Sequence, residues 1–309
     1  MSTNRQRNFH RLATLTLVLT LLVIAWGAFV RATGAGAGCG SHWPTCNGQI
    51  IPRAPSVKTL IEFTHRVTSG LDFLMVVALL VLSFRAFPSG HHVRRAAILS
   101  MILMVTEALI GAGLVIFEMV AGNTQIARAA WMAAHLLNTF ALLAALVSTW
   151  WFSRTPGVDS MPAPTPLRRF LRMGVALLLL TATSGAVAAL GDTLFPSASL
   201  AEGLAQDLSP GAHLFIRLRM WHPIVAGAVG LYLLVILGLL ANQGANALHR
   251  RIATVAAALV LAQVTIGIIN VVLLAPVAIQ LLHLLVGDLL WMAMVVLAFE
   301  SRPTGTASA

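Results

Sequence analysis

Charge is scarce in this sequence: Asp, Glu, Lys and Arg make up 10% of its 309 residues, against roughly 25% in an ordinary soluble domain. That deficit excludes a soluble globular chain. Acidic residues are fewest, ten against twenty Lys and Arg. The basic excess gathers into no arm or face and instead punctuates the ends of apolar runs. This is the pattern of membrane topology and excludes nucleic acid as a partner. Cysteine is almost absent. Cys39 and Cys46, with His42 between them, are one ligand short of a structural zinc site.

What the sequence has is apolar length. With 58% hydrophobic residues, it accommodates eight windows of about 20 residues, each enough to cross roughly 30 Å of hydrocarbon. The predicted spans are 12–33, 61–84, 96–119, 129–152, 170–190, 214–240, 252–273 and 276–299. The expected fold class is an all-α integral membrane protein of eight transmembrane helices. Thirteen of the twenty Lys and Arg, from Arg5, Arg7 and Arg11 through Arg85, Arg94, Arg95, Arg154 and Arg168 to Arg302, fall on one side. The positive-inside rule then places both termini in the cytoplasm of a bacterial cell and the cysteine loop outside. The first apolar run, about 20 residues long, is longer than the 7–15 of a signal peptide, and reads as a retained span.

The Pro-rich stretch "SRTPGVDSMPAPTPLRR" divides the chain near its middle and reads as a linker between two four-helix units, 1–155 and 156–309. These halves echo each other. "WGAFVRATGAG" at 26–36 has a counterpart in "SGAVAALGDT" at 184–193, and "EALIGAGLV" at 107–115 in "QVTIGIINV" at 263–271. Glu107 then falls opposite Gln263, and Gly111 opposite Gly267. An even number of spans per half keeps both in one orientation, so two pseudo-symmetric bundles related by an axis along the membrane normal are expected.

Cys39 and Cys46 are seven apart in an extracytoplasmic Gly/Pro loop, close enough to approach the Cα separation of a disulfide, in a compartment that permits one. Two readings stand: a loop staple, or an exposed, strained and redox-labile pair.

Ten histidines are present, and four of them, His65, His135, His222 and His283, lie in spans two, four, six and eight. Each falls about four to eight residues into a span running inward, roughly 6–12 Å below the outer edge. Ionisable residues at such depth are costly and mark function. Imidazoles at one depth on facing helices, without a cysteine or carboxylate cluster, suit axial ligation of haem iron. Two bis-histidine sites follow, His65 with His135 and His222 with His283. Arginines at the same level are candidates to hold haem propionates: Arg31, Arg66 and Arg128 in the first half, Arg217 and Arg219 in the second. The last two also suit interfacial anchors. Small residues after the histidines, "SG" at 69–70 and "AGAVG" at 226–230, permit close approach of a macrocycle.

Glu62 breaks the equivalence. It precedes His65 by three residues on one helix face, whereas Arg219 stands three before His222. A carboxylate beside a ligand equips the first half to handle protons or developing charge, although Glu62 can equally pair with Arg66 at i+4.

With "GAFVRATGAGAGCGSHWPTCNGQIIP", "EFTHRVTSG", "AAHLLNTF", "MWHPIVAG" and "LLHLLVGDLLW" in order along the chain, the sequence resembles the haem A synthase family. The resemblance implies oxidation of the C8 methyl group of haem O to the formyl group of haem A, through a hydroxymethyl stage. It implies that His65 and His135 face the substrate haem, that His222 and His283 ligate an electron-relaying haem B iron, that Glu62 is catalytic, and that Cys39 and Cys46 form a disulfide. Haem O synthase, the farnesyltransferase that makes haem O, and the assembly of haem-copper terminal oxidases are the implied partners. The membrane electron acceptor, the oxygen source and homo-oligomerisation stay open. Two rivals use the same ligands: a dihaem electron carrier or quinol oxidoreductase, and a haem transporter or chaperone.

Overall fold

The structure, a computed structural model, describes residues 4–154, 165–243 and 247–300. Among these, nine helices form and no β-strand: α1 (Asn4–Ala32), α2 (Val57–Ala86), α3 (His92–Ile116), α4 (Ile126–Phe152), α5 (Thr165–Leu194), α6 (Leu200–Leu208), α7 (Leu214–Gln243), α8 (Ala247–Val272) and α9 (Val277–Glu300). All except α6 are long and apolar enough to cross a membrane, as the sequence predicts. Each extends past its predicted window at one end at least. The apolar window measures only the hydrocarbon layer, and backbone hydrogen bonding carries a helix beyond it.

Local chemistry sets the ends. Ser56 caps α2 by accepting from Thr59 N at 3.2 Å. At the other end of the pattern, α3 stops three residues before its predicted end. Glu118 N donates to Val115 O and Met119 N to Leu114 O, with Glu118 at φ 55°, the left-handed closure that satisfies the last carbonyls of a helix. Glu118 is thus exposed in the loop. Pro223 sits inside α7, which continues through it.

The short α6 was not among the predicted elements, although its signal is legible. Ser199 accepts from Glu202 N at 3.2 Å, and Glu202 Oε2 accepts from Ala198 N at 2.9 Å, the reciprocal pairing that an S-x-x-E sequence promotes at a helix start.

Packing contacts close two rings of four helices: α1 on α2, α2 on α3, α3 on α4 and α4 on α1; then α5 on α7, α7 on α8, α8 on α9 and α9 on α5. The rings meet where α4 touches α5 and α9, and where α1 touches α9. On that seam Trp291 Nε1 donates to Phe140 O at 2.8 Å, and the two rings meet edge to face. The expected boundary near residue 155, most of the Pro-rich linker, and Arg302 lie outside the described residues.

The apolar core is uneven along the helices. Phe9, Leu79, Leu143 and Leu237 are fully buried toward the end where α1 begins. At the level of the four histidines the pattern changes: segments 21–29, 63–71, 105–111, 129–138, 175–187, 217–228, 261–272 and 277–287 hold no fully buried residue. Elsewhere protein side chains close-pack the interior. At the histidine level every residue of these segments keeps some exposure. On the outer surface, Leu22, Leu74, Leu109 and Leu231 are exposed, which suits a lipid solvent.

Candidate functional site

His65 on α2, His135 on α4, His222 on α7 and His283 on α9 lie six to nine residues after the starts of their helices, and all four are half-buried. His65 and His135 stand in the ring of α1–α4, and His222 and His283 in the ring of α5 and α7–α9.

Each imidazole faces a glycine on the preceding spanning helix. A Cβ at Gly27 of α1 would stand 3.0 Å from His65 Cε1, one at Gly185 of α5 2.9 Å from His222 Cε1, and one at Gly267 of α8 3.1 Å from His283 Cε1. At Gly111 of α3 the corresponding distance to His135 Cε1 is 3.8 Å. Three of these four cradles admit no methyl group without moving the ring. The repeat visible in the sequence, with Gly27 against Gly185 and Gly111 against Gly267, is thus a repeat of histidine seats.

The ring nitrogens are only partly engaged. Ser184 Oγ lies 3.0 Å from His222 Nδ1. Glu107 Oε1 on α3 lies 3.3 Å from His135 Nδ1, within ion-pair reach, and Gln263 Nε2 on α8 lies 3.3 Å from His283 Nε2. Nδ1 of His65, of His135 and of His283 are buried without a hydrogen-bond partner. Two imidazoles per ring of helices, with unsatisfied nitrogens and with glycine cradles beside them, fit a flat, iron-centred macrocycle in each ring. Ser184, Glu107 and Gln263 escaped the sequence reading as partners of histidine. Glu107 lacks a ligand three residues away on its own helix and meets His135 only across α3 and α4. Its signal was a carboxylate at membrane depth.

Glu62 is 3% exposed, and both its oxygens are engaged. Oε1 accepts from Arg66 Nη2 at 2.5 Å and Oε2 from Cys39 N at 2.8 Å. Arg66 Nη1 donates in turn to the carbonyls of His42 and Thr45, each at 2.7 Å. Glu62 and Arg66 thereby fasten the cysteine loop to the histidine-bearing helix. Cys39 and Cys46 form a disulfide with Cα atoms 4.4 Å apart. The residues are 0% and 1% exposed, so the exposed variant of the redox reading does not hold: the loop folds its sulfurs inward against the end of the bundle.

The remaining candidate arginines serve several parts of the fold. Arg31 reaches out of its own half, donating to Ala189 O, Thr193 Oγ1 and Gln280 Oε1, all at 2.9 Å. Arg128 is buried and closes the α3–α4 loop through Ala121 O at 2.5 Å and Asn123 O at 2.8 Å. Arg217 donates to Pro210 O. Arg219 bridges Asp207 on α6 at 2.7 Å and Asp192 on α5 at 3.2 Å.

Residues 10–295 match the family described as cytochrome oxidase assembly protein, COX15-CtaA. The chain belongs to this family, that of haem A synthase. Two protoheme IX farnesyltransferases of Thermus thermophilus are each 48% identical to it over 289 residues, covering 94% of this chain and 48% of theirs. A haem A synthase of Bacillus cereus is 40% identical over 112 residues, 36% of either chain. The chain thus spans about half the length of the Thermus relatives. The COX15-CtaA match includes all four histidines, Glu62 and both cysteines.

Proposed function

We propose that this membrane protein acts in haem A biosynthesis, oxidising the C8 methyl group of haem O through a hydroxymethyl stage to a formyl group. Family membership supports the pathway. The observation that carries the reaction is the inequality of the two halves. Glu62 is a buried carboxylate one turn from His65, whereas Arg219, its counterpart, is neutralised between two aspartates and ties helices together.

In this reading the chain has two functional halves, 1–155 and 156–309. His65 and His135 hold the substrate haem; His222 and His283 hold haem B, which supplies an electron relay when bound. Arg66 keeps Glu62 oriented through their ion pair, and a carboxylate near the substrate haem would stabilise positive charge developing at the oxidised carbon. The ion pair and the hydrogen bond from Cys39 N hold that carboxylate in place before substrate arrives, so little reorganisation is needed during reaction. Both termini are cytoplasmic and the disulfide loop lies outside the bacterial membrane, following the arginine distribution. The Thermus relatives named farnesyltransferases carry a unit like this one within a chain about twice as long. This supports a haem O-producing farnesyltransferase as the partner that supplies substrate, ahead of terminal oxidase assembly.

Glu62→Gln tests the assignment, because a dihaem carrier or a haem chaperone has no use for this carboxylate. The variant should retain bound haem while formyl production falls at least a hundredfold, the scale of a lost electrostatic stabiliser. Chromatography of extracted haems decides: pigment still rich in haem A from Glu62→Gln would remove Glu62 from the chemistry.

A further inference from the structure

A second carboxylate stands at the first-half site, on the opposite side from Glu62. Glu107 lies within span α3, where an ionisable group is expensive, and its oxygens are held by the turn of α4 that follows His135. Asn138 Nδ2 donates to Oε2 at 2.6 Å, and Thr139 Oγ1 donates to Oε1. Thr106 Oγ1 donates to Asn138 Oδ1 at 2.6 Å, fixing that amide. The carboxylate so held brings Oε1 to 3.3 Å from His135 Nδ1, within ion-pair reach but without a hydrogen bond to it. Gln263 occupies the equivalent place in the second half, four residues before Gly267 as Glu107 is four before Gly111. Its amide Nε2 lies 3.3 Å from Nε2 of His283, the histidine seated on that glycine, and leaves Nδ1 of that ring without a hydrogen-bond partner. One half therefore sets a carboxylate behind Nδ1 of its histidine, and the other sets none there.

We infer that Glu107 is a positioning residue that accepts the Nδ1 proton of His135, directs Nε2 toward iron, and makes the first-half haem harder to reduce than the second-half haem. The inference rests on the ligand pairs proposed above. A carboxylate behind a ligating imidazole fixes its tautomer and raises its basicity, and a more basic axial ligand favours ferric iron. No carboxylate stands behind His283, whose Nδ1 has no hydrogen-bond partner, so His283 stays the weaker donor. The resulting order of potentials runs downhill from the half where substrate is oxidised to the half that relays electrons.

Redox titration of the purified full-length protein tests this. Haem O or A in the first site and haem B in the second have separate absorption bands, and haem content is measured on the same samples. Glu107→Gln should shift the first-site ferric/ferrous equilibrium toward ferrous by at least tenfold, about 59 mV for one electron, and leave the second site unmoved. Glu107→Asp, which keeps a carboxylate but draws it back from Nδ1, should shift the first site less and in the same direction. First-site haem retained with its potential unmoved overturns the inference. If Glu107→Gln loses its haem, Glu107→Asp decides alone: a shift toward ferrous supports the inference, and an unchanged potential overturns it. Loss of haem from both variants also overturns it, in favour of a purely structural contact. Failure of the underlying reading looks different: His135→Ala then keeps a full complement of first-site haem.

Discussion

A glycine under an imidazole works only while the methyl group is missing, and the four cradles differ enough to test that. At 2.9 Å from His222 Cε1, a Cβ on Gly185 is closer than side-chain carbons tolerate, whereas at Gly111 the 3.8 Å to His135 is ordinary contact. Gly185→Ala must therefore turn His222 away from the position in which Ser184 meets its Nδ1. We expect at least a tenfold fall in second-site haem affinity, the scale on which disturbed ligand orientation is felt. Gly111→Ala should bind haem as the unaltered protein does. Haem titration followed by absorbance compares the two, and equal affinities would refute the cradle argument. Glu62 and Glu107 belong to the same scale. Glu62 is buried and Glu107 half-buried; each is a costly acid within a span, held by nearby donors, so its role is set by a few contacts within about 3 Å.

At the scale of elements, α6 depends on two devices of unequal strength. Its Ser199 cap is worth about 1 kcal/mol. Arg219 anchors the helix through Asp207 to α7 and through Asp192 to α5, and its loss leaves two carboxylates facing each other in a partly buried place. Breaking such a pair by removing one partner costs up to ~3–5 kcal/mol when fully buried, and less here because Arg219 keeps some exposure. Limited proteolysis of the 195–213 segment should rank the variants: Arg219→Met cut fastest, Ser199→Ala next, the unaltered chain slowest. The same reasoning explains why a cation stands where the first half has Glu62. The second half needs a tie between helices at that level, and Arg219 supplies it.

The whole molecule is two rings of helices joined along one seam, and Arg31 is the polar bolt across it. One side chain from α1 reaches acceptors on α5 and α9, each a hydrogen bond to a charged group worth about 1.5–3 kcal/mol. Arg31→Ala should lower the unfolding temperature in detergent and weaken coupling between the halves. Arg31→Lys should recover only part of that, since a compact ammonium cannot span three acceptors as a planar fork does. An unchanged unfolding temperature in Arg31→Ala would show that the other seam contacts, such as the ring contact and hydrogen bond between Trp291 and Phe140, hold it without Arg31.

By itself, the sequence determined the number and approximate position of the spanning helices, because apolar length is a property of a continuous segment. It also determined the four histidines and their common depth, which need only a helical rise of 1.5 Å per residue, and it displayed the repeat that aligns Gly27 with Gly185 and Glu107 with Gln263. Only the tertiary structure decided which groups meet across helices. Glu107 reaches His135 from α3, each glycine lies under a histidine of the next spanning helix, and Arg31 serves the half opposite its own. It also decided that the disulfide faces inward and that Glu62 is shared between Arg66 and the cysteine loop. Such contacts depend on the rotation of each helix about its axis and on the path of its loops. Both are set by the packing of all eight spanning helices together, and no single segment encodes them.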